Sequence, residues 1–269
     1  MEEEKFDVVV VGAGPAGLAA AYTLSQAGLQ VLVFERGEYP GSKNVMGGIL
    51  YRQPTEAVIP GFWKEAPVER PIVEQRIWVL TKDSAITLGY KSERMSKEPY
   101  NAFSVLRAKF DRWFAGKVEE AGAFILTDTV VESLLRENGK VVGVRTGRED
   151  GDIRADVVIA ADGVNSLIAR DAGLHAELRP DHVALAVKEV IALPREKIED
   201  RFNLEPGQGV AIELVGEATG RMLGTAFIYT NQDSLSVGVG AIASEFAASG
   251  IKPYELIEQL KAHPAVRPL

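Results

Sequence analysis

No cysteine occurs anywhere in the 269 residues. That excludes disulfides, thiolate catalysis and a cysteine-ligated iron–sulfur cluster within this chain, and it points to a reducing, cytosolic setting. Histidine is nearly as scarce. His175, His182 and His263 show no ligand spacing, so they are expected as surface or satisfied structural residues, and no metal site is expected. Positive charge is in deficit. The net charge of −8 argues against nucleic acid as a partner. A basic leader is absent too, because Met1-Glu2-Glu3-Glu4 is acidic where a signal peptide carries its positive end. No repeat or low-complexity tract stands out. What remains is ordinary for a globular chain, with 46% hydrophobic and 25% charged residues, and the length suits one large domain or two modest ones.

One uncharged run, Val8 to Phe34, is longer than a membrane span, yet Gly12, Gly14, Pro15, Gly17, Ser25, Gln26 and Gly28 interrupt it. A βαβ unit explains those breaks better than a membrane helix does. Phe6 to Val11 reads as a short β-branched strand buried on both faces. Gly12-Ala13-Gly14-Pro15-Ala16-Gly17 follows at G-x-G-x-x-G spacing, then Ala-rich helical sequence, Gly28 as a stop, and a second strand ending in Glu35-Arg36. Gly12 permits the turn, Gly14 lets the backbone approach a pyrophosphate, and Gly17 lets the helix lie close to the strand. Phosphates then meet free N–H groups at the helix N-terminus, where Pro15 costs little. Glu35 stands 18 residues after Gly17, near the spacing of a carboxylate that accepts from ribose hydroxyls.

Gly37 to Tyr51 is rich in turn formers and is expected to be an irregular working loop, in which Gly47 and Gly48 let backbone lie against a flat ring. Pro54, Pro60, Pro67 and Pro71, with Phe62 and Trp63, suggest an ordered surface segment whose aromatics are packed rather than interfacial. Ile72–Leu80 and Ala85–Tyr90 read as a hairpin. Ser104–Glu120 reads as a helix presenting Val105, Phe110, Trp113 and Phe114 to the core, with Gly122 as its stop. Strands are expected at 123–128, 130–136, 141–146 and 155–160, with a hairpin turn at Asn138-Gly139 and a polar turn at Asp162-Gly163. Ser166–Ala172 suggests a short helix. Four further strands from Val183 to Ile242 suggest an antiparallel sheet, and helical sequence closes the chain.

These residues resemble the glutathione-reductase-2 type of FAD proteins, the para-hydroxybenzoate hydroxylase fold. The resemblance rests on the βαβ unit ending in Glu35-Arg36, on Arg107 within Ser104 to Asp111, on Val130-Val131, and on Ala160-Ala161-Asp162-Gly163. It implies an α/β fold: a Rossmann-like FAD-binding domain at 1–70 and 105–182, with an antiparallel β-sheet domain at 71–104 and 183–269 on the quinone or substrate side. The implied FAD contacts are Gly12, Ala13, Gly14, Pro15, Ala16, Gly17, Glu35 and Arg36 on the adenosine half, with Val131 at the adenine. Arg107 would offset phosphate charge, Ala161, Asp162 and Gly163 would hold the dinucleotide end, and Gly47 and Gly48 would face the flavin. No catalytic residue is assigned.

Lys43 to Tyr51, and Phe227 to Gly238, look like segments of electron-transfer-flavoprotein:quinone oxidoreductases of the FixC type. That resemblance implies electron flow from an electron-transfer flavoprotein to a quinone within a multi-subunit complex. A small ferredoxin-like partner would supply the cluster that a cysteine-free chain cannot. It also implies a cytoplasmic protein, with a peripheral site at the cytoplasmic face of the inner membrane as an open variant. Geranylgeranyl reductases share the layout, so reduction of isoprenoid double bonds is an alternative, as are aromatic hydroxylation and a truncated, non-catalytic FAD-binding subunit. The family's C-terminal Gly-Asp flavin motif has no counterpart, since Gly151-Asp152 falls at a hairpin tip, and the expectation is that the C-terminal portion is missing.

Overall fold

The computed structural model describes residues 5–44 and 47–269. In chain order the elements begin with β1 (Lys5–Val11), α1 (Pro15–Gln26), β2 (Val31–Phe34), β3 (Gly47–Tyr51), α2 (Arg52–Glu56), β4 (Val68–Leu80) and β5 (Ala85–Lys91). Next come β6 (Ala102–Leu106), α3 (Arg107–Glu120), β7 (Phe124–Leu126), β8 (Val131–Glu137), β9 (Lys140–Thr146), β10 (Asp152–Ala160) and α4 (Leu167–Asp171). The chain finishes with β11 (Ala184–Ala192), α5 (Arg195–Phe202), β12 (Gly209–Gly216), β13 (Gly224–Thr230), β14 (Ser234–Ile242), α6 (Ala243–Ser249) and α7 (Pro253–Ala262). No helix among the described residues is long and apolar enough to cross a membrane.

Two compact units result. The first comprises Met1–Val45, Glu56–Pro67 and Arg107–Glu177, and the second Met46–Thr55, Val68–Leu106 and Leu178–Leu269. β3 groups with the second unit.

The first unit is built on a six-stranded sheet in the order β7-β2-β1-β10-β9-β8. β1 lies between β2 and β10, parallel to both. Such a strand is covered on both faces, and Val9 and Val10 are accordingly fully buried. α1 starts with Pro15 in its first turn and ends in a Schellman-type closure, with Leu29 N–H donating to Leu24 O and Gly28 at φ +84°. The β8–β9 turn places Asn138 and Gly139 at φ 50° and 80°, the paired positive values that an Asn-Gly hairpin supplies. Phe62 is buried within an aromatic cluster, its ring 5.9 Å from Trp63 and 6.2 Å from Phe110, so these aromatics pack rather than face outward as a pair.

The second unit holds an eight-stranded sheet in the order β11-β14-β13-β12-β4-β6-β3, with β5 paired to β4. Most neighbours are antiparallel, as expected, but β12 runs parallel to β4. That pairing joins segments more than a hundred residues apart, which no local pattern reveals. Two further expectations are corrected. Gly47–Tyr51, read as irregular, is a strand paired with β6, and Val45 and Met46 of that segment lie outside the described residues. Ser104–Leu106, read as the first turn of a helix, belongs to β6, which is paired on both sides by β3 and β4. Ladder bonding on two edges overrides the helical propensity of the segment.

A single arginine fastens the second unit's core. Arg70 is 1% exposed. Its Nε donates to Asn231 O at 2.6 Å, Nη1 to Glu199 Oε1 at 3.0 Å and Gln208 O at 2.8 Å, and Nη2 to Gln232 O at 2.9 Å. A buried guanidinium is tolerated because its charge is paired and its donors are satisfied. Pro71, which has no N–H to give, sits at the register shift between β4 and β6.

Candidate functional site

The first unit carries a cleft of about 360 Å³ at the carboxyl ends of β1 and β2. Gly12, Ala13 and Gly14 form one wall, Glu35 and Arg36 the next, and Val131, Ala161, Asp162 and Gly163 a third. The fold thus brings together nine of the residues singled out from sequence, at the end of the strands where open parallel sheets bind ligands.

Each glycine of the turn plays a distinct part. Gly12 has φ +103°, and an added Cβ would strike Ala161 O. At Gly17 an added Cβ would strike Gly12 O and stand 3.2 Å from Val10 Cγ1, so only glycine lets α1 lie this close to β1. At Gly14 a Cβ would meet nothing within 4 Å. Its backbone therefore faces open space at the start of α1, where no side chain caps the helix. Helical N–H groups and the positive end of the helix dipole are left for an anion.

Glu35 is tied into the same turn. Its Oε2 accepts the Ala13 N–H at 3.0 Å and its Oε1 accepts the Gly37 N–H at 2.7 Å. Each oxygen keeps a second lone pair for a hydroxyl donor. Thr129 N–H donates to Glu35 O at 3.0 Å, fixing the strand end. Across the cleft, Ala161 N–H donates to Val11 O at 2.9 Å, and Asp162 Oδ2 accepts the Ile168 N–H at 2.7 Å. Asp162 is therefore the acceptor for the first turn of α4, and it reaches the cleft wall in that role.

The other residues singled out lie elsewhere. Pro15, Ala16 and Gly17 belong to the first turn of α1, behind the Gly14 wall. Gly47 and Gly48 lie in β3 of the second unit, opposite Leu106 and Val105, and a Cβ at Gly48 would find open space. Arg107 is absent from the cleft lining. Its Nε and Nη2 hold both oxygens of Asp111, each at 2.7 Å, and Asp111 is 1% exposed. It is Asp111 that reaches the cleft wall. Lys43, Asn44, Thr129 and Leu167 also line the cleft and were not singled out. Only Lys43 and Asn44 carried a prior signal, as part of the loop after Arg36.

The second unit carries its own polar and aromatic features. Phe227 and Tyr229 stack at 4.6 Å with their planes 14° apart. Burial, reinforced by Glu213 and Tyr51, pushes the Tyr229 phenol up to about 12, so it is protonated and can donate at neutral pH. Desolvation pulls the Lys188 ammonium below its ordinary value. His263 is a satisfied structural residue, with Nε2 2.9 Å from Thr81 O and Nδ1 accepting the Ala265 N–H at 3.1 Å, while His175 and His182 are exposed.

Residues 5–201 match the family described as FAD binding domain. Protein FixC of Bradyrhizobium diazoefficiens is 50% identical over 270 residues, covering 100% of this chain and 62% of the relative. A probable electron transfer flavoprotein-quinone oxidoreductase of Escherichia coli is 43% identical, again over 100% of this chain and 62% of its own length. The chain thus spans about three fifths of the length of these relatives. Among solved structures, a geranylgeranyl bacteriochlorophyll reductase-like protein from Thermoplasma acidophilum superposes with a TM-score of 0.77 at 25% identity, over 98% of this chain and 64% of that one. The expected FixC-type resemblance and the expected FAD cofactor are both borne out at the level of the family. With the glycine turn, the acid at the end of β2 and the cleft between them in place, the chain belongs to the FAD binding domain family.

Proposed function

We propose that this protein is an FAD-dependent oxidoreductase that passes electrons from an electron-transfer flavoprotein to a quinone. The observation that carries the FAD half of this reading is the open Gly14 wall at the uncapped start of α1. A pyrophosphate lies there against main-chain N–H groups from the Gly14 to Gly17 turn. Glu35 accepts from ribose hydroxyls with the lone pairs that Ala13 and Gly37 leave free. Arg36 and the Val131 backbone flank the adenosine, and Ala161, Asp162 and Gly163 bound the far wall. Arg107 acts at one remove by holding Asp111 in place. The FAD supplies the redox chemistry when bound; the chain's residues bind and orient it and tune its potential.

The partner half of the reading rests on likeness to FixC and to the probable electron transfer flavoprotein-quinone oxidoreductase. Electron-transfer flavoprotein subunits deliver electrons, and a small ferredoxin-like protein contributes the iron–sulfur centre. A cytoplasmic location follows, at the membrane surface where a quinone is the acceptor. Domain roles divide accordingly, with the first unit holding the cofactor and the second serving the quinone side.

Anaerobic stopped-flow absorbance on the FAD-loaded protein tests this. Reduction is expected to be slow with NADH or NADPH alone, fast with reduced electron-transfer flavoprotein, and reversed by quinone. The structural likeness to a geranylgeranyl reductase-like protein supports a second reading, reduction of isoprenoid double bonds. Fast reduction by NADPH, followed by reoxidation with an isoprenoid and indifference to the flavoprotein, would select it.

A further inference from the structure

β5 is an edge strand: among the described residues it pairs with β4 alone. Every residue from Ile86 to Lys91 is exposed. The hairpin closes with Thr81 N–H donating to Ser84 O at 2.9 Å. Bonded and non-bonded pairs alternate along an antiparallel ladder. The main-chain groups of Ile86, Leu88 and Tyr90 therefore turn toward β4, and those of Ala85, Thr87, Gly89 and Lys91 turn outward to solvent. The register runs unbroken from Leu80 opposite Ala85 to Glu74 opposite Lys91. Bulges, prolines and charges are the devices that usually blunt an edge; this strand has no bulge and no proline, and its one charge, Lys91, stands at its last position, with Nζ donating to Asn203 O at 3.0 Å.

The same hairpin exposes an apolar face. Ile77 and Val79 on β4 and Ile86, Leu88 and Tyr90 on β5 are between 38% and 64% exposed, with Ile77 opposite Leu88 and Val79 opposite Ile86. An open edge and a contiguous apolar face on one hairpin mark an interaction surface. Charge at the two ends of the strand identifies the partner. Asp83 stands in the exposed turn before β5, its Oδ1 accepting from the Ser84 hydroxyl at 2.8 Å with Oδ2 left over, and exposed Lys91, which gives one of its three Nζ protons to Asn203 O, is the last residue of the strand.

We propose that β5 pairs antiparallel with β5 of a second copy of this chain, about a two-fold axis at Thr87. In that register the outward groups of Thr87 bond to their symmetry mates, and those of Gly89 bond to Ala85. Lys91 stands opposite Asp83 on both sides of the axis. The axis is perpendicular to the sheet, so the two apolar faces lie on the same side, with Ile86 of each copy beside Leu88 of the other. The interface is isologous and closes at two copies. Centring the axis on Leu88 instead puts Lys91 opposite Ala85, and the charge match is lost.

Analytical ultracentrifugation of the chain over a concentration series tests the proposal, which expects a monomer–dimer equilibrium. Thr87→Pro removes an outward N–H that makes no bond to β4, and edge strands accept proline there. It should abolish the dimer and leave the circular-dichroism spectrum unchanged. Asp83→Lys and Lys91→Asp each create two like-charge pairs and should weaken dimerisation about tenfold. The double variant should recover it. If Thr87→Pro fails to fold, the charge swap between two exposed residues decides. A chain that stays monomeric at ~0.1 mM, or a dimer indifferent to both sets of changes, overturns the proposal. So does a monomeric chain that sediments with phosphatidylcholine vesicles, which would assign the apolar face to lipid.

Discussion

Glu35 Oε2 accepts the main-chain N–H of Ala13 at 3.0 Å. The acid at the end of β2 thereby fixes the glycine turn that leaves β1, and its other oxygen restrains Gly37 at 2.7 Å. A residue read from sequence as a ribose acceptor is also a structural clamp. Glu35→Ala frees both N–H groups, one of them on buried Ala13, and should cost about 2–3 kcal/mol of stability. Glu35→Gln keeps the shape and one acceptor and should cost less, yet it should still weaken FAD binding. Urea unfolding and flavin-fluorescence titration measure the two effects; an unchanged urea midpoint for Glu35→Ala contradicts the clamp.

Gly14 and Gly17 should separate binding from folding. Gly14→Val places side-chain atoms in open space, so the apo protein should melt as before while FAD affinity collapses. Gly17→Ala drives a methyl into Gly12 O and should lower stability by about 1–3 kcal/mol. Thermal melts of the apo variants beside FAD titrations check this, and retained stoichiometric FAD in a folded Gly14→Val protein counts against the assignment of the cleft.

Arg107 and Arg112 should also part company. Arg107→Ala leaves buried Asp111 without its partner, so a loss of about 1.5–3 kcal/mol is expected, with FAD binding weakened through the shifted cleft wall. Arg112 lies 3.8 Å above the Tyr39 ring, and Arg112→Ala should cost only about 0.5–1 kcal/mol. If Asp111→Asn in the Arg107→Ala background restores none of the stability, the pairing is not the reason Arg107 matters. Equal FAD dissociation constants for the two arginine variants would remove the distinction between them.

Acid should loosen the second unit through Glu199. The Gly207 N–H at 2.9 Å and the Arg70 guanidinium hold the Glu199 carboxyl below its ordinary value of 4.5, against the opposing effect of burial. A carboxyl with a lower value folded than unfolded adds stability above its unfolded value and loses it as pH falls through the folded one. Melting temperature should therefore drop below about pH 4.5, and Glu199→Gln should flatten that drop while lowering stability at neutral pH. A variant as acid-sensitive as the parent would show that other groups carry the response.

The parts of this fold that were legible are those written in short stretches. β1, α1 and β2 announce themselves through β-branched runs, three spaced glycines and a terminal acid, and Gly12, Gly14 and Glu35 line the cleft. Asn138-Gly139 was legible for the same reason. β6 was not, because Ala102–Leu106 is held as a strand by partners 32 or more residues away. α5 went unread, and the parallel union of β4 and β12 has no local mark at all. At the site, Thr129 and Leu167 reach the cleft only through the return of later strands to the sheet. Asp111 stood four residues after Arg107 in plain view, but its helical pairing with that arginine competes with any role for Arg107 at a phosphate.

The position of β1 between β2 and β10 has a consequence for biosynthesis. β2 is available 20 residues after β1, whereas the opposite neighbour begins only at Asp152. Until that strand has left the ribosome, β1 offers an unsatisfied inner edge of consecutive valines. Meanwhile β4 emerges, and its parallel neighbour β12 begins only at Gly209. From Val68 to Asp152 the nascent chain thus has two sheets begun and neither closed, a period in which holdase chaperones would find their ligand.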